Sequence, residues 1–197
     1  MPGTLSPCAR PTMNVPSRLP WNWNGTADEL DGFLPCDSLT QGRYVSLHRA
    51  IDVEADPASV FRWVCQLKEA PYSYDWLDNR GRRSPHTLTP GAEHLEIGQP
   101  FLIATIGSFE HDRHLSGAAI PRARRLYGVL AISYVVIPLA DGSSRLLVRL
   151  NVEDDRALRR RVRRWVMAWG DLVMMRKQLL TLKQLAEQGG EWSRGRH

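Results

Sequence analysis

The densest run of side chains able to do chemistry is Tyr72-Ser73-Tyr74-Asp75-Trp76-Leu77-Asp78. Phenols and a carboxylate beside apolar rings suit the binding of a polar ring substituent. They also suit general acid/base work on an enolisable carbonyl, with Tyr74 paired to Asp75 or Asp78. The same residues suit a structural lid whose rings pack on a sheet and whose aspartates cap turns. Arg176 is a second candidate, because on an ideal helix it falls among Leu172, Val173, Leu179 and Leu180. A charge facing inward there would need a carboxylate or an anionic ligand group; with a slightly tighter winding Met175 faces inward and Arg176 points out. Arg49, on the apolar face of a strand-like segment, poses the same question more weakly. Glu110-His111-Asp112-Arg113-His114 has two imidazoles three apart, which point to opposite faces of a strand. With no third ligand fixed by spacing, this stretch reads as a polar loop and no metal site is expected.

Other chemistries lack their motifs. There is no GxSxG, GxGxxG or Walker loop, so hydrolase, dinucleotide and NTPase readings have no support and no cofactor is expected. The three cysteines, Cys8, Cys36 and Cys65, form no CxxC pair, which argues against a disulfide framework and fits a reducing cytoplasm. No apolar run reaches the roughly 20 residues of a membrane span, and the N-terminus lacks the apolar core of a secretory signal. The net charge of +5 is uneven: residues 156–197 hold eleven Lys and Arg against three acids (+8), leaving fifteen basic and eighteen acidic groups elsewhere (−3). That pattern describes one charged helix face better than a nucleic-acid reader.

The elements that must position these residues follow from periodicity. Residues 1–32, Pro-rich at the start, read as an extended or disordered tail, with Trp21 and Trp23 available to pin it to the domain. Tyr44–Val53 alternates as a strand, with Val45, Leu47, Ile51 and Val53 on one face. Asp56-Pro57 opens a helix whose Val60, Val64 and Leu67 form a stripe. Phe101–Ser108, His111–Gly117, Leu126–Leu139 and Ser144–Val152 read as strands, with a hairpin turn at Ala140–Ser143. The last segment, Arg156–Glu187, is a helix. Its apolar arc is expected to face the sheet with Trp165, Trp169 and Leu172, and Arg159, Arg160, Arg163 and Arg164 on the solvated side. Strands in a meander closed by one long helix make an α+β fold, a curved antiparallel sheet around the C-terminal helix.

Several of these stretches carry a family resemblance. Arg49–Val53 with Pro57–Val64 resembles the opening strand and helix of the START-like helix-grip superfamily, also called SRPBCC, which includes polyketide cyclase/dehydrase-like proteins. Phe33–Leu39, Tyr72–Asn79, Leu95–Gly98 and Ser144–Arg149 are similar to one bacterial branch of it, in which Gly stands at the place of Cys36. The resemblance covers residues 33–188, which would form the ligand-binding domain, with 189–197 as a short tail. It implies a deep pocket between sheet and C-terminal helix for hydrophobic or aromatic small molecules, lipids included, and no shared catalytic set.

The leading expectation is therefore a helix-grip protein holding such a ligand. Trp165, Trp169 and Leu172 would form one wall, Tyr72, Tyr74 and Trp76 the mouth, and Arg176 or Arg49 an anion anchor. A cyclase, dehydratase or isomerase acting on a polyketide-like carbonyl compound is one alternative. A protein-interaction module using the basic face and the N-terminal tail is another. Nothing fixes the oligomeric state, monomer or homodimer.

Overall fold

The computed structural model describes residues 18–74, 83–154 and 158–194. Its centre is a seven-stranded sheet of order β1-β2-β7-β6-β5-β4-β3: β1 Asn22–Trp23, β2 Tyr44–Val53, β3 Pro100–Phe101, β4 Ala104–Glu110, β5 His114–Ala119, β6 Leu130–Pro138 and β7 Ser144–Glu153. Neighbours are antiparallel except β1, which lies parallel to β2 and pairs Trp23 with Arg49. The described residues also hold five α-helices, α1 Ala27–Asp31, α2 Pro35–Ser38, α3 Pro57–Cys65, α4 Pro121–Tyr127 and α5 Leu158–Arg194, and a 3-10 turn, Gln66–Lys68, that follows α3. This is the expected α+β helix-grip architecture.

Local chemistry explains the boundaries. Asp56 caps α3 by accepting from the Ser59 amide at 2.9 Å, with Pro57 in the first turn where its missing N–H does no harm. Asp141 accepts from the Ser143 amide at 3.0 Å and Gly142 takes φ 83°, which closes the β6–β7 hairpin. Gly117 in β5 has no substitute: a Cβ there would lie 2.1 Å from the Thr105 carbonyl oxygen. The apolar run expected as one strand over Leu126–Leu139 instead begins only at Leu130, because Pro121 starts the short helix α4 and Gly128, at φ 86°, ends it.

Two regions depart from the expected layout. Residues 18–32, expected to be part of a loose tail, are folded against the sheet. A reciprocal cap between Thr26 and Glu29 starts α1, Leu30 is buried, and β1 joins the sheet edge. Residues 1–17 lie outside the described part. At the other end the helix runs past Glu187 to Arg194, so residues 189–194 continue it rather than form a tail.

The covered outer face of the sheet holds a polar layer that alternation alone did not reveal. Arg149, fully buried, pairs with buried Asp37 at 2.9 Å and donates to the carbonyls of Glu29, Leu30 and Gly32. Asn151 donates to Asp37 at 2.7 Å and accepts from Ser46 at 2.6 Å. Arg149 and Asn151 both find partners in the N-terminal segment, so the segment is part of the fold. Opposite it, the main core gathers α3, the inner sheet face and Met175, Leu179, Leu182, Leu185 and Ala186 of α5.

Candidate functional site

Between the inner sheet face and the first half of α5 lies a cavity of about 530 Å³. The sheet supplies its apolar floor through Leu47, Leu130, Ile132, Leu150 and Val152. The helix supplies the opposite wall through Arg164, Met167, Ala168, Gly170, Asp171, Met174, Met175 and Gln178. Residues 67–71, Ser73, Leu102, Ile103 and Tyr127 close the end. The volume falls in the range of pockets that hold small organic ligands, and three methionines let the wall adapt to irregular shapes.

A few polar groups interrupt this lining, and each is held from behind. Asp171 Oδ2 accepts from Arg49 at 2.8 Å, while Arg49 also donates to the carbonyls of Trp21 and His48. Burial pushes the Asp171 carboxyl above its usual range, and the adjoining guanidinium pulls it back. Burial likewise works against the charge on Arg49, and Asp171 offsets it. The pair therefore survives because each partner compensates the desolvation of the other. Gln178 Nε2 donates to the Pro71 carbonyl at 2.5 Å and its Oε1 accepts from the Tyr134 hydroxyl at 2.7 Å. Burial raises the Tyr134 hydroxyl well above its ordinary pKa, so it acts as a fixed donor. Arg164 donates to Asp154 at 2.5 Å across the start of the helix.

The expected site residues fare unevenly. Arg49 faces inward but stands behind Asp171, so it anchors a carboxylate and is not itself part of the lining. Leu172 is buried beside the lining. Trp165 and Trp169 are 54% and 38% exposed, Arg176 is exposed, and Met175 takes the inward place, so the expected tryptophan wall and Arg176 anchor are corrected. Tyr72 is buried against Trp63, ring centroids 6.1 Å apart, and does not form the mouth; Tyr74 is part-buried and off the lining. Asp75, Trp76 and Asp78 lie outside the described residues, and of that block Ser73 reaches the cavity.

The rotation of α5 away from the expected face has a physical reason. Its first half is apolar on two sides, Val162, Trp165, Val166 and Trp169 on one and Met167, Ala168 and Met175 on the other. Rotation is set by the second half, where Leu179, Leu182 and Leu185 pack into the core, and by the Asp171–Arg49 pair. One signal could have found this: Asp171 is the sole acid between Asp155 and Glu187. A basic stretch of helix with one carboxylate, and a strand with one buried-face arginine, are complementary oddities.

His111 packs edge-on against Phe61 and Phe109, and His114 meets Ser108 at 3.3 Å. Among the described residues no three His, Cys, Asp or Glu side chains are grouped to hold a metal ion, and no helix is long and apolar enough to cross a membrane.

No family model and no curated protein matches this chain. Solved structures do resemble it. A Mesorhizobium loti protein is 13% identical at a TM-score of 0.47, covering 73% of this chain and 97% of its own. A Chromobacterium violaceum protein is 12% identical at a TM-score of 0.47, covering 72% and 96%. CalU16 from Micromonospora echinospora is 14% identical at a TM-score of 0.38, covering 80% and 90%. The likeness is one of fold alone.

Proposed function

We propose that this chain binds a small, mainly apolar or aromatic molecule in the cavity between sheet and α5, with one polar end directed to Asp171 and Gln178. The supporting observation is an apolar cavity of about 530 Å³ whose wall carries a carboxylate fixed in place by Arg49. The pair with Arg49 engages Asp171 Oδ2, and the same carboxylate lines the cavity, where it can accept a further hydrogen bond. A ligand with a hydrogen-bond donor, such as a hydroxyl or amine, would complete that site. The free, buried Cys36 and Cys65 support a reducing, cytoplasmic setting.

Native mass spectrometry of the purified chain tests this. A co-purifying adduct of a few hundred daltons or less, lost on denaturation, is the expected result. An adduct-free spectrum that stays unchanged after incubation with a mixture of apolar phenols and amines would overturn it.

A further inference from the structure

The outer side of α5 carries a feature that cavity binding does not use. Val162, Trp165, Val166, Trp169, Val173 and Leu180 are all exposed, between 38% and 59%, and recur at spacings of three, four and seven. They form one stripe, and the Trp165 and Trp169 rings stack edge to face at 6.1 Å. From Val162 to Leu180 it runs roughly 27 Å along the helix. Contiguous apolar surface of this kind marks an interaction site.

Charge selects the partner. Exposed Arg161, Arg163 and Lys177 flank the stripe, and exposed Arg176 stands within it. Asp171, the sole acid of this stretch, is turned inward onto Arg49. Packing the stripe on the same stripe of a second copy would set arginine against arginine with no acid to pair. Residues 1–17 contain no Asp or Glu, so they cannot supply the complement. The occupant must therefore be anionic and apolar together. Arg176 decides between a lipid surface and an acidic protein. A protein would have to set a fixed carboxylate against it, whereas at a bilayer its stem lies among acyl chains while its guanidinium meets any of many phosphates. Tryptophans on the apolar side and arginines beside them are what an interfacial helix needs.

We infer that α5 docks lengthwise, by this outer stripe, on an anionic membrane surface. The inference stands apart from the cavity reading, since it uses the opposite side of the helix.

Co-sedimentation of the full chain with vesicles tests it, comparing phosphatidylcholine alone with phosphatidylcholine containing phosphatidylglycerol. Binding is expected to be at least tenfold stronger to the anionic vesicles and to fall as salt rises. Trp165→Ser with Trp169→Ser should lower it about tenfold or more, with the thermal unfolding temperature unchanged because both rings are exposed. Neutralising Arg161, Arg163, Arg176 and Lys177 to Gln should lower it by roughly fivefold per charge at low salt. Equal binding to both vesicle types would overturn the inference, as would tryptophan variants that bind normally. So would preferential, tryptophan-dependent binding to an acidic polypeptide, or dimerisation through the stripe seen by light scattering.

Discussion

His48 sits fully buried on the covered face of β2, with no hydrogen-bond partner on either ring nitrogen among the described residues. A Cβ on Gly25 would come within 2.4 Å of its ring, so the imidazole has no room to move toward water. Burial, reinforced by Arg149, lowers its pKa to about 4 from an ordinary value of 6.5. The sign follows directly: the unfolded chain takes up a proton that the folded chain refuses, so stability is intact above about pH 6.5 and falls as pH drops toward 4. Between pH 7.5 and pH 5 this one group should remove about 2 kcal/mol. Urea unfolding at both pH values measures it, and His48→Leu should flatten the dependence by about that amount. A Leu variant with the wild-type pH slope would contradict this account. His48 was legible only as a residue on a strand. Its isolation depends on Gly25 and the arginines, which come from distant segments.

At the level of elements, the N-terminal segment is held to the sheet by the Asp37–Arg149 pair, both partners buried. Asp37 also fixes α2 by accepting from the Leu34 amide at 2.8 Å, and it binds Asn151. Asp37→Ala deprives a buried guanidinium of its carboxylate and should destabilise the protein by about 3–5 kcal/mol, read by urea denaturation. A loss under about 1 kcal/mol would show that the segment is not fastened in this way. Strands β2 and β7, the cap of α3 and the β6–β7 turn were legible in the sequence, because alternation and capping are local signals. The docking of residues 18–40 was not, since Asp37 and Arg149 announce themselves only when their elements meet. The rotation of α5 is hidden in the sequence for a different reason. Two apolar sides compete within one helix, and periodicity measures the sum of them. The choice was made by Asp171, Leu179 and Leu182, through contacts with β2 and α3 that no helical pattern contains.

For the whole molecule, a curved sheet and a long helix leave space where the helix carries Ala168, Gly170 and methionines instead of bulky branched side chains. The same helix thus closes the core with its second half and roofs the cavity with its first. The existence of a pocket between sheet and helix was expected from the family resemblance. Its chemistry was not, because the polar groups expected there, Arg176 and the Tyr72–Tyr74 pair, lie elsewhere, and Asp171 and Gln178 take their place. Titration with the neutral aromatic amine 1-aminoanthracene tests the central claim most directly, using the full-length protein and Met174→Trp, a part-buried position where a larger ring would fill the space. The account predicts saturable binding of one dye per chain, weakened about tenfold or more in the filled variant with thermal stability kept. Dye binding that is absent, or that is equal in both proteins, would contradict it.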